Sequence, residues 1–447
     1  MSRETWDELA DLQKLMQDSP DAATRDDDPD AGRRRRRVRL VLLIVFVVIV
    51  AMIAGAGGYV VWALHAPVPA PHLVSAAPAV PNPATAALTL PSDGSSTIRI
   101  SGADAYFAGA TKLTLTSGGN APKPMASISK LITALVVLEK HPLKDASDAG
   151  PTITFGKAAH DLYDKYYVMD ATIAPMPIGA TMSLRGALAA MLIPSASNYA
   201  EAVSTWAYGS QYAFVGAARR WLKAHGMNDT TFVEPTGISA QNESTPRDLL
   251  KLGKLAAADP TIAELVATRG VSLPATGMLS NTNHLLGSEG IDGLKTGNLG
   301  QGRFNLLYTS SLDVGLDEPL LVSGAILGAT TEESVETAVL SELNSIRAGF
   351  YTLTVAEAGQ KVGTYTTAWG SSARLVVRAD ASIFTWSDTP ITVRMKTTTP
   401  KAYEDGTRVG TLTWTAGPST TTAYLGVEGT IEPPSAWWRL THPGELG

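Results

Sequence analysis

An uncharged apolar run near the N-terminus constrains this chain more than any other feature of its sequence. The run extends from Leu40 to Leu64, 25 residues without a charged side chain. As a helix it would be about 37 Å long, which is enough to cross a hydrocarbon core of about 30 Å with some tilt. A cleaved signal peptide has a shorter apolar region that lies closer to the N-terminus. We therefore predict a retained transmembrane helix at residues 40–64, with cleavage after it as the less favoured alternative.

Basic residues beside this run predict its orientation. Arginines occupy positions 33–37 and 39, immediately before the apolar residues, and positive charge favours the cytoplasmic side of a membrane. We predict a cytoplasmic tail at residues 1–39 and an extracytoplasmic location for the chain after the span. The protein would be held at the cell membrane by this single helix.

The tail contains a short amphipathic pattern. Its apolar residues Trp6, Leu9, Leu12 and Met16 recur at helical spacing. The pattern could form a helix that binds a partner. We favour a marginal helix in a disordered tail, because short isolated helices are unstable in water.

Composition excludes several classes of function. The chain has 36 Lys and Arg residues against 42 Asp and Glu, a net charge of -6, and its basic run abuts the apolar span, so a nucleic-acid partner is not expected. The absence of cysteine excludes disulfides, thiolate metal sites and a cysteine nucleophile. The histidines show no spacing that suits metal binding, so we expect no metal and no cofactor.

The sequence after the span divides into three parts. Residues 65–93 are rich in Ala and Pro and predict an extended spacer. Residues 94–352 mix apolar helical runs with β-rich segments, which predicts an α+β domain. Within it, residues 305–312 and 320–327 are expected to be neighbouring antiparallel strands. Residues 353–447 contain short Thr- and Val-rich runs between turn residues, which predicts a small all-β domain.

Ser127 and Lys130 are the first candidates for chemistry. They begin a helical run that is apolar or small from Leu131 to Leu138, so the helix should be central and buried. Lys130 lies one turn from Ser127 on the same face and could accept the serine proton if burial and a second cation lower its pKa. The alternative is a capping serine and a lysine that reaches solvent. An ammonium group inside an apolar helix is costly, which favours the catalytic interpretation.

Two further segments carry polar residues at the ends of predicted elements. Ser195 follows Pro194, which interrupts an Ala-rich helical pattern, so it should lie at a junction between two helices. Lys295, Thr296 and Gly297 lie on a predicted strand. There the lysine could bring its charge to the nucleophile, the threonine could bind a carboxylate and the glycine could admit a substrate backbone. Taken alone, each segment also fits a structural role, as a helix-capping loop and as a strand end.

These residues form three ordered motifs, S-I-S-K at 127–130, S-A-S at 195–197 and K-T-G at 295–297. The set resembles the active-site motifs of penicillin-recognising serine enzymes. The surrounding segments PMASISKLITALVVLE, GMNDTTFVEPTGIS, STPRDLLKLG and SNTNHLLGSEGIDGLKTG look like those of the serine-type D-alanyl-D-alanine carboxypeptidases, the low-molecular-mass penicillin-binding proteins. The resemblance covers roughly residues 94–350. It implies an antiparallel sheet flanked by helices, followed by a β domain.

The resemblance implies the reacting groups. Ser127 would be the acylated nucleophile, Lys130 its general base and Ser195 a proton relay. The oxyanion would lie between the backbone N–H groups of Ser127 and Asn298.

The resemblance also implies the substrate. Lys295 and Thr296 would hold the terminal carboxylate of the peptide, beside Gly297. The implied reaction removes the terminal D-alanine of peptidoglycan stem peptides through a serine acyl-enzyme. β-Lactams would then be covalent inhibitors.

The chain departs from the family pattern in the middle motif. That motif usually ends in Asn, whereas here Ser197 takes its place and Asn198 follows. A serine is too short to bind the substrate's peptide group as an amide would. Either Asn198 supplies the amide, or substrate binding is weaker or different. The family pattern also has an arginine after the strand that ends in GAILGA, residues 324–329, and here Thr330 and Thr331 stand in that place.

Other polar and aromatic residues are expected to be structural. We interpret His284 as a loop residue rather than a base, and Asp292 as part of a turn. Trp437 and Trp438 are expected to pack in the β domain.

Two alternatives to a carboxypeptidase stay open from the sequence. The altered middle motif could belong to an envelope scaffold that keeps the fold and has lost activity. A β-lactamase would use the same motifs, but it needs a fast deacylation base, and no loop glutamate fits that role convincingly.

Overall fold

The computed structural model describes residues 29–107 and 113–447. The described residues form two compact units, each assembled from segments that are remote in sequence. The first unit comprises the described residues of Met1–Val74 together with Tyr365–Ala373 and Thr430–Gly447. The second unit comprises the described residues of Ser75–Thr364 together with Arg374–Gly429. The amphipathic pattern predicted from Trp6 to Met16 lies outside the described residues.

Helices and strands are numbered in chain order within the described residues. The helices are α1 (Pro29–His65), α2 (Ser129–Lys140), α3 (Lys157–Tyr167), α4 (Leu184–Leu192), α5 (Ser197–Tyr208), α6 (Gln211–Ala224), α7 (Pro246–Ala258), α8 (Pro260–Ala267), α9 (Glu332–Ala348) and α10 (Ala436–Thr441). The strands are β1 (His72–Ser75), β2 (Ser95–Ser101), β3 (Leu113–Ser117), β4 (Lys123–Pro124), β5 (Thr152–Thr154), β6 (Thr181–Ser183), β7 (Glu243–Ser244), β8 (Gly270–Leu273), β9 (Gly277–Ser280), β10 (Ile291–Asn298), β11 (Phe304–Leu312), β12 (Leu320–Ala329), β13 (Phe350–Ala356), β14 (Lys361–Thr366), β15 (Ser372–Val377), β16 (Ala381–Trp386), β17 (Ile391–Thr397), β18 (Arg408–Ala416) and β19 (Ser419–Glu428).

The first unit contains α1, the long apolar helix. It includes the whole of the span predicted at residues 40–64, so the predicted helix is confirmed. Over Gly32–His65 it is long and apolar enough to cross a membrane, and its most apolar stretch is not buried against other residues. A lipid bilayer would supply the apolar surroundings that this surface requires.

The C-terminal end of α1 packs against the end of the chain within the same unit. Ala63 and Leu446 belong to a small buried cluster, with Trp438 beside it, and Trp438 also makes an edge contact with Trp369. Trp437 is exposed. The expectation that both tryptophans pack in the β domain is therefore wrong for Trp437, and Trp438 packs against α1 as well. Consecutive residues of a helix point about 100° apart, so only one of the two can face a given neighbour.

The second unit is built on an antiparallel sheet with the strand order β10-β11-β12-β2-β3. The predicted pairing of residues 305–312 with residues 320–327 is confirmed by β11 and β12. Leu306 and Leu307 point to opposite faces of the sheet and belong to different buried clusters. Helices α2, α4, α5, α7 and α8 cover one face, and α9 covers the other. This architecture confirms the predicted α+β fold with an antiparallel sheet flanked by helices.

Helix α2 runs through the interior of this unit, as its composition predicts. All residues from Ser129 to Leu138 are buried, because the helix has no polar face to turn towards solvent. It ends at Lys140, and Pro142 follows, where a helix could not continue. Lys130 is the single charged residue of the buried stretch, so its surroundings must compensate for the lost hydration.

The C-terminal part of the second unit consists of strands. β15, β19, β18 and β17 are paired antiparallel in that order, and β13 pairs with β16. Trp414 and Leu425 are fully buried among these strands. An all-β region follows the helical part, as predicted, whereas the domain boundaries placed before residue 94 and after residue 352 stay predictions.

Candidate active site

Ser127 lies in a tight turn that leads directly into α2. Residues Ala126–Ile128 form one turn of 3-10 helix, and Ala126 has a left-handed backbone with φ 51°. This conformation is costly for a residue with a side chain and is concentrated at functional sites. Gly237 packs against the turn so closely that a Cβ atom there would overlap the Ala126 carbonyl group. A glycine at position 237 is therefore what lets the turn hold Ser127 at the edge of the cavity.

Lys130 is positioned to exchange a proton with Ser127. Its Nζ atom lies 2.9 Å from Ser127 Oγ and donates to the carbonyl oxygen of Thr236 at 2.7 Å. The side chain is completely buried, and this burial lowers the pKa of Lys130 to about 7, although the charge of Glu234 opposes the shift. A lysine with this pKa is largely neutral slightly above pH 7 and can then accept the serine proton.

The loop that carries Thr236 is held by Glu234. The Glu234 carboxylate accepts from the backbone N–H groups of Thr236 and Gly237, both at 2.7 Å. It also accepts from the side-chain amide of Asn242 at 3.2 Å, and that amide donates to Ser129 Oγ as well. Sequence reasoning missed these supporting residues. The signal that could have found them was the segment FVEPTGIS, whose glutamate and glycine flank the Pro-Thr pair at this loop.

Lys295 occupies a second buried position, on β10. Its Nζ lies 3.2 Å from Thr282 Oγ1 and 3.3 Å from Thr296 Oγ1, and the two threonine hydroxyls lie 2.6 Å apart. Burial lowers the pKa of Lys295 well below its ordinary value, and the charge of nearby Lys130 lowers it further. The structure therefore brings the amine of Lys295 to the threonine of its own motif.

Ser195 lies at the break between α4 and α5, as predicted from Pro194. It has φ 70°, and its buried hydroxyl has no hydrogen-bond partner among the described residues. An unsatisfied buried hydroxyl beside a cavity is free to bond a ligand or to pass on a proton.

Of Ser197 and Asn198, which stand at the altered end of the middle motif, the structure brings only Ser197 to the cavity. Asn198 is fully buried, and its side chain is committed to the backbone of Ala174. The Ala174 N–H donates to Asn198 Oδ1 at 3.1 Å, and Asn198 Nδ2 donates to the Ala174 carbonyl at 2.8 Å. Ser197 and Asn198 are the first two residues of α5, so their side chains point in different directions.

The predicted residues converge on a cavity of about 700 Å³. Those that line it are Ser127, Ser195, Ser197, Thr296, Gly297 and Asn298. Lys130 and Lys295 lie behind this surface and contact it through Ser127 and Thr296. Three stretches that are remote in sequence thus meet at one cavity with a hydroxyl next to an amine.

Gly297 allows β10 to approach the nucleophile turn. A Cβ atom at this position would lie 2.7 Å from the Met125 carbonyl oxygen and 3.0 Å from Ala126 Cβ. Because glycine has no Cβ, the strand can lie against the turn. This approach brings Asn298 and Ser127 to the same cavity, which is the arrangement that an oxyanion site between their backbones requires.

A second group of polar residues lines the same cavity. His284 Nδ1 lies 3.8 Å from Glu332 Oε1 and 3.6 Å from Glu336 Oε1, and these ligand atoms are close enough to share a cation. His284 lies in a loop, as predicted, and this loop also borders the cavity. The grouping could not be found from spacing, since a loop before β10 and the first two turns of α9 meet only in the fold.

The two residues that stand where the family pattern has an arginine lie away from the cavity. Thr330 donates to Asp93 through its backbone and its hydroxyl, and Thr331 caps α9. Neither residue is among those that line the cavity, so neither stands in for the expected arginine. Asp292 lies on β10 and accepts from Thr309 Oγ1 on the neighbouring strand, so the predicted turn position is wrong, although its contact is a structural one.

Comparison with known proteins identifies relatives of this domain. Residues 110–316 match the Peptidase_S11 family, D-alanyl-D-alanine carboxypeptidase. The chain is 35% identical over 170 residues to the D-alanyl-D-alanine endopeptidase of Escherichia coli strain K12, which covers 37% of this chain and 51% of that protein. It is 24% identical over 260 residues to the D-alanyl-D-alanine carboxypeptidase DacD of Salmonella typhimurium, 56% of this chain and 64% of that protein. The chain thus spans about half the length of the endopeptidase that it matches.

Solved structures share the fold. Penicillin binding protein 5 from Haemophilus influenzae aligns with a TM-score of 0.50 and 19% identity over 78% of this chain and 98% of that chain. Penicillin binding protein 6B from Escherichia coli aligns with a TM-score of 0.50 and 18% identity over 80% of this chain and all of that chain. At these identities the likeness concerns the fold alone. Residues 110–316, which contain the three motifs that meet at the cavity, are thus similar to the Peptidase_S11 family, D-alanyl-D-alanine carboxypeptidase.

Proposed function

We propose that the protein is a membrane-anchored D-alanyl-D-alanine carboxypeptidase that removes the terminal D-alanine from peptidoglycan stem peptides. The observation that carries this proposal is the buried amine of Lys130, 2.9 Å from Ser127 Oγ at the edge of a cavity. A scaffold without activity would have no use for a lysine buried at this cost.

Acylation would begin at Ser127. Its Oγ attacks the carbonyl carbon of the penultimate D-alanine while neutral Lys130 takes the hydroxyl proton. The negative charge that develops on the carbonyl oxygen is stabilised by the backbone N–H groups of Ser127 and Asn298. The peptide C–N bond then breaks, the departing nitrogen receives a proton from Lys130 by way of Ser195, and the remaining peptide stays on Ser127 as an ester.

Deacylation would reverse the proton movements with water as the nucleophile. Water attacks the ester carbonyl and gives its proton to the same Lys130 and Ser195 pair. Collapse of the tetrahedral intermediate returns a proton to Ser127 Oγ and releases the shortened peptide. Penicillin would follow the first half of this cycle, with its strained amide bond in place of the peptide bond.

The terminal carboxylate of the substrate would be bound by the β10 motif. Thr296 presents its hydroxyl to the cavity, and Lys295 lies behind it with its amine 3.3 Å from that hydroxyl. An entering carboxylate would supply the negative charge that stabilises Lys295 as an ammonium ion. Only substrates with a free C-terminal carboxylate at this position would gain that interaction.

The site would act outside the cytoplasm. Helix α1 has the length and apolarity of a membrane span, and the arginines before residue 40 favour a cytoplasmic N-terminus. This orientation would put the cavity on the side of the membrane where peptidoglycan is found.

Covalent labelling tests the proposal. The detergent-purified chain should bind a fluorescent penicillin covalently and release D-alanine from an acylated peptide that ends in D-Ala-D-Ala. Ser127→Ala should abolish both reactions, whereas Ser382→Ala, a change on β16 away from the cavity, should leave both unchanged. A folded protein that neither binds penicillin nor releases D-alanine would contradict the proposal, and rapid hydrolysis of penicillin would indicate a β-lactamase instead.

A second candidate is cleavage of cross-linked peptides. It is favoured by the E. coli relative, which is named a D-alanyl-D-alanine endopeptidase and is 35% identical over the matched residues. Incubation with a purified cross-linked peptide dimer distinguishes the two activities. Monomer release without free D-alanine would identify an endopeptidase.

A further inference from the structure

Asn283 carries a buried hydrogen-bond donor that the fold leaves unused. The residue precedes β10, lines the cavity and is 4% exposed. Its Oδ1 accepts from the Leu285 N–H at 3.1 Å, whereas its Nδ2 has no acceptor among the described residues. Leaving a buried donor unpaired costs roughly 1–3 kcal/mol, so such a group calls for an explanation.

The other carboxamides near the cavity are already committed or exposed. Asn305 Nδ2 donates to the Pro124 carbonyl at 3.1 Å, and its Oδ1 accepts from the Gly328 N–H at 2.7 Å. Asn298 is exposed and uses its Oδ1 in the turn that follows β10. Asn198 bonds only the backbone of Ala174. Among the described residues that line the cavity, Asn283 is thus the buried side-chain amide whose nitrogen has no acceptor at all.

The segment around Asn283 is fixed to two of the three motifs. The Thr282 N–H donates to the carbonyl oxygen of Ile193, two residues before Ser195, at 3.2 Å. The Thr282 hydroxyl bonds Thr296 and accepts from Lys295. The residue that follows Thr282 is therefore held between the serine junction and the β10 motif.

We infer that Asn283 Nδ2 binds the carbonyl oxygen of the substrate peptide bond on the N-terminal side of the penultimate D-alanine. This inference rests on the proposed function. Ser197, the motif residue that reaches the cavity, has a hydroxyl too short to span to that carbonyl, and Asn198 is turned away. Asn283 would supply the missing amide from another segment of the chain. In penicillins the corresponding acceptor is the carbonyl of the acylamino side chain.

The test compares two β-lactams on the detergent-purified full chain. Benzylpenicillin carries the acylamino carbonyl, whereas 6-aminopenicillanic acid lacks it. Asn283→Ala should lower the second-order rate constant for acylation by benzylpenicillin about tenfold, as expected for the loss of one hydrogen bond, and should change that for 6-aminopenicillanic acid less than twofold. Asn344→Ala, at an exposed asparagine of α9, is the matched control and should change neither rate.

A purely structural role for Asn283 predicts a different result. If Asn283→Ala slows both β-lactams equally, or slows neither, the inference is overturned. Asn283→Ser serves if the alanine variant does not fold, because its hydroxyl can still accept from the Leu285 N–H but is too short for the ligand. Failure of the wild-type chain to be acylated by either compound would instead overturn the proposed function, so the two failures are distinguishable.

Discussion

Two buried lysines lie at the same cavity, and their surroundings differ. Lys130 contacts a hydroxyl and a backbone carbonyl and has the negative charge of Glu234 nearby. Lys295 contacts threonine oxygens, and the charge that acts on it is the positive charge of Lys130. Burial lowers both pKa values, but Glu234 moderates the shift at Lys130.

This difference separates two chemical tasks. A pKa of about 7 suits a group that must take up and return a proton near neutral pH. Burial lowers the pKa of Lys295 as well, and no negative charge nearby among the described residues opposes that shift, which suits a group that becomes charged when an anion enters beside it. One cavity can therefore hold two lysines without two permanent charges, because Lys295 would become an ammonium ion when the substrate carboxylate binds beside it.

Removal of Lys130 should have the largest effect. Lys130→Ala deletes the base, so we expect the rate of acylation by benzylpenicillin to fall about 10²- to 10⁴-fold. Stopped-flow or gel-based labelling measures the rate. Lys157→Ala, at an exposed lysine, should retain the wild-type rate. An acylation rate within tenfold of wild type in Lys130→Ala would show that another group removes the proton.

Removal of Lys295 should have a smaller effect that depends on the substrate. For a peptide with a free terminal carboxylate, Lys295→Ala should lower kcat/KM about 10- to 100-fold, in line with a charge-assisted hydrogen bond. For the same peptide with a C-terminal amide, the wild type already lacks the ionic partner, so the variant should lose little. Lys396→Ala on β17 is the surface control. An equal loss for both peptides would mean that Lys295 does not read the carboxylate.

The pH dependence of acylation should report Lys130. The base is active only as a neutral amine, so the second-order rate constant should fall about tenfold per pH unit below pH 7 and level off above it.

The lowered pKa of Lys130 should also make the stability of the fold depend on pH. Between pH 7 and the ordinary lysine pKa of 10.5, the unfolded chain binds the proton that the folded chain releases, so stability rises with pH in this window. Lys130→Met should reduce this increment in thermal unfolding measurements to the part that the lowered pKa of Lys295 contributes, and an undiminished increment would contradict the assignment.

Replacement of Glu234 should remove the negative charge that distinguishes the surroundings of Lys130 from those of Lys295. Glu234→Gln removes the negative charge that raises the pKa of Lys130, so the acid limb of the acylation profile should move to lower pH. The variant also loses acceptor capacity for the backbone of Thr236 and Gly237, which should lower the free energy of unfolding by about 1–3 kcal/mol. Glu404→Gln, in an exposed loop, is the control. An unmoved acid limb would separate Glu234 from the titration of Lys130.

Local relationships in this molecule were predictable from sequence. Ser127 and Lys130 are three residues apart, in a 3-10 turn that runs directly into α2, so local backbone geometry brings their side chains to the same side. A proline in the interior of a helical pattern interrupts the helix, so Pro194 located the junction at Ser195. The pairing of β11 with β12 followed from two adjacent β-rich runs joined by turn residues.

Relationships that depend on tertiary placement were not predictable. Asn198 and Ser197 are neighbours in sequence, and only the rotation of α5 decides that one lines the cavity while the other bonds Ala174. His284, Glu332 and Glu336 come together because a loop meets the first two turns of α9. The support that Glu234 gives to Thr236 depends on the path of one loop. Residue types and spacing contain none of this information.

The contact between Gly237 and the nucleophile turn limits how such an enzyme can evolve drug resistance. A side chain at position 237 would collide with the Ala126 carbonyl and press on the Ser127 N–H. That N–H would serve antibiotic and cell-wall peptide alike, so a mutation here that evades the inhibitor also surrenders the natural reaction. Under the proposed function, position 237 is therefore closed to substitutions that would exclude the drug and spare the peptide.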